Sequence, residues 1–261
     1  MTYFHTVLMG IVEGLTEFLP ISSTAHLDIT RFLFSIPVSD FTKTFEIGIQ
    51  AGAILAVLAL YGKRIFSSWK YIRNMVLAFI PTAIIGFVLY KIIKTYLLGN
   101  TLLAASVLVV GGIFIVWYER RNAKKQEESV ETVSVETITT RQAVVLGAVQ
   151  ALAVVPGVSR SGAVIIAGRI MNIPTTTITE FSFVLAVPTI LAATGYDLVK
   201  TGFNLTGNEW SLLLLGSMTA MAVAFVVIKW FLGYVRKHSF EVFGWYRIIF
   251  GLIVLGIFFI R

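Results

Sequence analysis

The chain contains no cysteine, which excludes disulfide bonds, thiolate nucleophiles and cysteine-ligated metals. Charged residues are also scarce: they form 13% of the 261 residues, about half of the share that soluble domains carry. No lysine or arginine precedes Arg31, so the N-terminus lacks the basic region of a cleaved signal peptide. Because 57% of the residues are hydrophobic, we predict an all-α polytopic membrane protein.

Six apolar stretches are long enough to cross about 30 Å of hydrocarbon at roughly 1.5 Å per residue. We place these spans at about residues 44–61, 75–90, 101–118, 181–199, 211–231 and 242–260. Two more apolar regions, 3–34 and 143–170, are interrupted by polar residues and by Pro20 and Pro156. Irregular backbone at membrane depth is tolerated where it is buried in protein or lines a cavity. We therefore predict that both regions are re-entrant helical hairpins.

The two interrupted regions resemble each other in sequence. Glu13 in Gly-Ile-Val-Glu-Gly-Leu aligns with Gln150 in Gly-Ala-Val-Gln-Ala-Leu, an offset of 137 residues. The same offset pairs Ser23 with Arg160. Interrupted apolar segments at corresponding positions of two halves indicate a binding site at the interface of the repeats.

The chain is thus predicted to contain two repeats, 1–118 and 141–261, joined by a polar cytoplasmic linker at 119–140. Each repeat has one hairpin and three spans, and since three is odd, the repeats would lie inverted in the membrane. If the loop 62–73 is cytoplasmic, most loop lysines and arginines are cytoplasmic too, as the positive-inside rule requires. Both termini would then be outside.

The first interruption carries two acids spaced four residues apart, Glu13 and Glu17. This spacing places them on one helix face, where they could bind a hard divalent cation through oxygen. They could also divide roles, with one ionised and one transferring a proton. The plain structural alternative is an acidic pair neutralised by Arg160.

Hydroxyl groups and a histidine follow these acids: Ser22, Ser23, Thr24 and His26. A hydroxyl beside a histidine suits nucleophilic chemistry, and histidine can itself attack phosphorus or protonate a leaving oxygen. Ser22 or Ser23 is also expected to cap the next helix. Gln50, deeper in the first span, is expected to line the same cavity.

The second interruption, Pro-Gly-Val-Ser-Arg-Ser-Gly, has the composition of an anion cradle. Glycine lets the backbone approach a ligand, the N-terminus of the following helix favours phosphate, and arginine offers a planar fork. A charge at the bilayer centre costs roughly 2.5–3.5 kcal/mol, so this arginine must face a cavity or a ligand. The predicted substrate-binding residues here are Gly157, Ser159, Arg160, Ser161 and Gly162.

Together the two strings resemble the signature motifs of the undecaprenyl-pyrophosphate phosphatases, or bacitracin-resistance proteins, and the resemblance covers nearly the whole chain. It implies an integral membrane enzyme of the plasma membrane with its site open to the outer face. The implied reaction hydrolyses undecaprenyl diphosphate to the monophosphate and inorganic phosphate, which recycles the carrier for peptidoglycan and confers resistance to bacitracin. It also implies a divalent cation, Mg²⁺ or Ca²⁺.

The resemblance assigns roles residue by residue. Glu13 and Glu17 match the acidic pair linked to metal binding and catalysis. Ser23 and His26 match the proposed nucleophile or proton donor, and Arg160 matches the arginine that binds pyrophosphate. The sequence leaves open whether His26, Ser23 or water attacks phosphorus.

Two other interpretations concern class and partners. Inverted repeats with broken helices also occur in transporters, so a flippase for polyprenyl phosphate lipids is the alternative function. The net charge of +7 lies mainly in loops, where it fits anionic membrane lipids better than nucleic acid. The expected partners are therefore a polyprenyl diphosphate and membrane lipids, with no nucleic acid, and the sequence is compatible with a homodimer.

Overall fold

The computed structural model describes residues 1–97, 100–122, 134–200 and 204–260, so positions 123–133 of the predicted linker lie outside the described residues. Within these ranges the chain forms α-helices with short 3₁₀ and π turns and contains no β-strand. The helices are α1 Tyr3–Thr16, α2 Ser23–Leu33, α3 Asp40–Ser67, α4 Trp69–Ile92, α5 Thr101–Arg121, α6 Thr140–Gln150, α7 Arg160–Ile170, α8 Thr175–Lys200, α9 Gly207–Val235 and α10 Glu241–Ile260.

Six of these helices, α3, α4, α5, α8, α9 and α10, are long and apolar enough to cross a membrane. They confirm the six predicted spans, although most extend several residues beyond the predicted limits. Helix α3, for example, continues through Lys63 and Arg64 to Ser67. The helical hydrogen bonds outlast the apolar stretch, and the start of α3 is fixed by a capping box in which Ser39 and Thr42 bond to each other's backbone N–H.

The other four helices have 11 to 14 residues, which gives lengths of about 16–21 Å. None of them can cross about 30 Å of hydrocarbon alone. Helix α1 packs against α2 and α6 packs against α7, so each interrupted region forms a helical hairpin. The second helix of the first hairpin begins at Ser23.

The two hairpins pack in corresponding ways. Helix α1 packs on α9, and α6 packs on α4, so each contacts the second span of the other half. A Cβ on Gly10 would lie 2.7 Å from the Gly216 carbonyl oxygen, and one on Gly147 would lie 1.7 Å from that of Ala78. Both glycines, 137 residues apart, thus permit close backbone contact between halves. The inverted topology of the two repeats stays a prediction.

Candidate active site

The turns of the two hairpins contact each other directly. Ser159 and Ser161 on the second hairpin donate hydrogen bonds to the Leu19 carbonyl oxygen, with Oγ–O distances of 3.3 and 2.8 Å. A Cβ on Gly162 would lie 3.2 Å from the Cβ of Pro20. The polar strings that the sequence separates by more than a hundred residues therefore form one structural unit.

A buried arginine from α10 joins the two turns. Arg247 is 2% exposed and donates to the carbonyl oxygens of Pro20 and Gly157, at 3.1 and 2.7 Å. Gly157 has a φ of +94°, and a Cβ there would lie 2.6 Å from the Ala104 carbonyl oxygen. Sequence reasoning overlooked Arg247, although an arginine inside the last apolar span was the same signal that drew attention to Arg160.

Glu17 of the first hairpin forms an ion pair with Arg160 of the second. Its Oε1 accepts a hydrogen bond from Arg160 Nη2 at 2.8 Å, and its Oε2 accepts one from Ser23 Oγ. The other terminal nitrogen of Arg160 donates to the Ser182 carbonyl oxygen at 2.9 Å. The Glu17 side chain is buried and that of Arg160 is nearly so, with 5% and 10% of their surface exposed. A carboxylate, a hydroxyl and a guanidinium from different parts of the sequence thus share one site.

These groups face a cavity of about 150 Å³ between the two halves. Seven of the predicted site residues line it: Glu17, Ser22, Ser23, Thr24, Gln50, Ser159 and Arg160. Three further polar residues line it as well, namely Thr82, Gln150 and Thr189. The cavity therefore combines a cation, an acid, several hydroxyls and amides, which suits a polar, anionic ligand.

Glu13 lies beside Glu17 but does not line this cavity. Its side chain is fully buried, and neither carboxylate oxygen has a hydrogen-bond partner among the described residues. Unpartnered carboxylate oxygens next to a second acid are the donors that a hard cation prefers. In the described part of the chain no three His, Cys, Asp or Glu residues cluster as a metal site, so hydroxyls, phosphate or water would complete the coordination.

His26 is buried behind the cavity wall. Its Nδ1 donates to the Ser22 carbonyl oxygen at 2.7 Å, and its Nε2 lies 2.8 Å from the Tyr246 hydroxyl oxygen. The imidazole also stacks on the ring of Phe250, with centroids 4.8 Å apart. Both ring nitrogens therefore have protein partners, and the histidine holds the residue that precedes Ser23.

The expected capping by Ser22 or Ser23 is wrong. Ser22 occupies the N-cap position of α2, but its side chain makes no capping hydrogen bond, and its φ of 70° is unusual for a residue with a Cβ. Ser23 Oγ donates to Glu17 instead. Both serines line the cavity, and the His26 contact with the Ser22 carbonyl oxygen stabilises their turn.

The remaining predicted residues of the second string hold the structure rather than line the cavity. The Gly157 carbonyl oxygen accepts from Arg247, and Ser161 is fully buried against Leu19. The Gly162 N–H donates to Ser159 Oγ at 3.1 Å, which caps α7. Their roles in substrate binding stay predictions.

The sequence is similar to one protein family and to named proteins from several bacteria. The sequence profile of the family described as bacitracin resistance protein BacA matches residues 6–253. Proteins named undecaprenyl-diphosphatase are similar along their full length. The one from Aquifex aeolicus is 44% identical over 99% of both chains, and that from Wolinella succinogenes is 45% identical over 98% of both. The one from Thermus thermophilus is 40% identical over 99% of this chain and 98% of its own.

Proposed function

Because this chain belongs to the bacitracin resistance protein BacA family, we propose that it hydrolyses undecaprenyl diphosphate to undecaprenyl phosphate and inorganic phosphate. The relatives named for this activity match nearly the whole chain. The observation that supports it best is the convergence of Glu17, Ser23 and Arg160 on one cavity. The product would serve again as the lipid carrier for cell-wall synthesis, and removal of the diphosphate would counter bacitracin.

Binding of the diphosphate relies on the second hairpin. Arg160 carries a planar cation into the cavity, and arginine matches phosphate oxygens with two parallel hydrogen bonds. The N-terminus of α7 adds its positive dipole end and the first-turn N–H groups that the Ser159 cap leaves free. Since the cavity is buried between helices, these contacts act in a low dielectric and are stronger than in water.

Chemistry relies on the first hairpin. Glu17 Oε2 already accepts the Ser23 hydroxyl proton in a hydrogen bond, so Glu17 can act as the base while Ser23 Oγ attacks the terminal phosphorus. The anhydride P–O bond breaks, undecaprenyl phosphate leaves, and Ser23 carries the phosphoryl group. Water then releases phosphate, and Glu17 returns the proton to Ser23. Among the three candidate nucleophiles, this geometry favours Ser23, since both nitrogens of His26 are engaged elsewhere.

Glu13 and Glu17 would hold the divalent cation, Mg²⁺ or Ca²⁺. Such an ion, when bound, neutralises charge that develops on the phosphate oxygens. The support in this chain is the pair of unpartnered Glu13 oxygens beside Glu17, counted among the described residues.

The six long apolar helices make the chain a multi-pass membrane protein. We place it in the plasma membrane, with the cavity open to the outer face and both termini outside. The distribution of loop lysines and arginines supports this orientation. A homodimer is compatible with the large exposed apolar surface, which includes Phe87, Val88 and Phe259, although lipid covers such surface equally well.

Phosphate release from undecaprenyl diphosphate by the detergent-purified protein tests this function. We expect release that stops with a chelator, returns with Mg²⁺ or Ca²⁺, and is lost in Arg160→Ala. Binding of the lipid without release would instead support the flippase, for which a phosphate-binding cavity between two halves would also be suitable.

A further inference from the structure

The cavity contains a polar group that the mechanism above leaves unused. Gln150 lies at the end of α6, is 1% exposed, and lines the cavity together with Glu17, Ser23 and Arg160. It occupies the position in the second hairpin that Glu13 occupies in the first, 137 residues earlier. A buried amide at such a place needs partners for both of its ends.

The orientation of this amide is fixed by two threonines. Gln150 Nε2 lies 3.1 Å from Thr82 Oγ1 and 2.9 Å from Thr189 Oγ1. Each threonine already donates its only hydroxyl proton to a main-chain carbonyl, Thr82 to Gly147 at 2.7 Å and Thr189 to Leu185 at 2.8 Å. Both hydroxyl oxygens can therefore only accept from Gln150, so the NH₂ group must face them.

Because the NH₂ group is held by the threonines, the amide cannot flip, and the side-chain oxygen must occupy the other position as a hydrogen-bond acceptor. Gln150 Oε1 is buried and has no hydrogen-bond partner among the described residues. An amide oxygen, unlike the carboxylate of Glu13, is uncharged and takes up no proton at ordinary pH. Such an acceptor can bind an O–H donor such as water, and a cavity of about 150 Å³ has room for several water molecules at about 30 Å³ each.

We propose that Gln150 Oε1 binds and orients the water that hydrolyses the phosphorylated Ser23. This rests on the proposed function and on Ser23 as nucleophile. The water oxygen forms the new bond to phosphorus while the P–Oγ bond to Ser23 breaks. Glu17 returns its proton to Ser23 Oγ, and both protons of the water leave with the phosphate. Gln150 thus acts in the second half of the reaction only.

Rapid-quench kinetics of purified Gln150→Met on undecaprenyl diphosphate test this assignment. Methionine keeps the length of the side chain and removes the acceptor, so we expect kcat to fall about 10- to 100-fold, as for a misplaced reactant, with little change in KM. Phosphorylated Ser23 should then accumulate above the wild-type amount. Gln150→Glu, whose protonated carboxyl can still accept one hydrogen bond, should recover part of kcat.

Different outcomes would refute the role of Gln150 and the phosphatase activity on which it rests. Wild-type protein that releases no phosphate would refute the proposed function itself. Wild-type turnover in Gln150→Met, or slow turnover without more phosphoserine than in wild type, would overturn the role of Gln150 while leaving the phosphatase intact. A matched control is Gln142→Met, which alters a partly exposed capping glutamine at the start of α6 and should leave both kcat and the phosphoserine amount unchanged.

Discussion

Arg160 and Glu17, 143 positions apart in the chain, form a buried ion pair with an Nη2–Oε1 distance of 2.8 Å. The pair joins the start of α7 to the end of the first hairpin helix, and it faces the cavity. Removing one member of a buried pair leaves the other charge uncompensated, at a cost of about 3–5 kcal/mol. The pair therefore links the assembly of the site to its chemistry.

Arg160→Lys should keep the charge and lose the function. Lysine is a point charge and cannot donate to both Glu17 and the Ser182 carbonyl oxygen, as Arg160 does. We expect kcat for phosphate release to fall about 10²- to 10³-fold, the range for loss of one electrostatic donor. Arg141→Lys, which changes an exposed arginine, is the control. Equal activity of both variants would show that Arg160 does not bind the diphosphate.

Ser23→Ala should abolish turnover. It removes the hydroxyl that donates to Glu17, and loss of a nucleophile or its partner lowers kcat by at least about 10⁴-fold. Mass spectrometry of wild-type protein, quenched in parallel in acid and in base because phosphohistidine is acid-labile, should locate the phosphate on Ser23 and not on His26 of the same peptide. Ser106→Ala, on α5 away from the cavity, should behave like wild type. Phosphate found on His26, or full activity of Ser23→Ala, would transfer the role of nucleophile to another group.

His26→Ala should lower the rate about 10²-fold, as for a misplaced catalytic group, although the imidazole does not line the cavity. It leaves the Ser22 carbonyl oxygen without its Nδ1 donor and so loosens the turn that presents Ser23. Tyr246→Phe removes only the hydroxyl that contacts Nε2. It should lower the free energy of unfolding by about 0.5–1.5 kcal/mol, the net contribution of one hydrogen bond. The two rates and the thermal midpoints in detergent provide the check. A larger loss of rate in Tyr246→Phe than in His26→Ala would contradict the proposal that His26 holds the turn through Ser22.

Arg247→Met should destabilise the protein and slow it. The carbonyl oxygens of Pro20 and Gly157 would lose their common donor, and each unsatisfied buried group costs about 1–3 kcal/mol. We expect a thermal midpoint several degrees lower, with reduced phosphate release because the turns lose their register. Lys229→Met, an exposed cation on α9, is the matched control. If both variants melt together with wild type, Arg247 does not hold the turns.

The sequence predicted the six spans, both hairpins and most of the polar residues that line the cavity, because polar residues inside apolar stretches are costly and therefore informative. It did not predict which side chains of the two strings line the cavity and which hold the turns. His26, Ser161 and Gly162 belong to the same strings as Ser23 and Arg160, yet they do not line the cavity. Spacing does not reveal the direction of a side chain in an irregular turn. Arg247 and the threonines around Gln150 come from distant helices, so only the fold brings them to the site.

Cross-linking of the two turns tests their convergence most directly. Since the chain has no native cysteine, only the introduced cysteines can form a disulfide within it. Pro20→Cys with Gly162→Cys places Cβ atoms about 3.2 Å apart, near the usual disulfide range of about 3.5–4.5 Å. A protease site inserted in the 119–140 linker allows the halves to be separated after oxidation. On a denaturing gel after cleavage, we expect the two halves of the first pair to migrate as one band until a reductant is added, whereas the halves of Phe66→Cys with Gly162→Cys should migrate separately. Halves that part without reductant in the first pair would contradict a shared site.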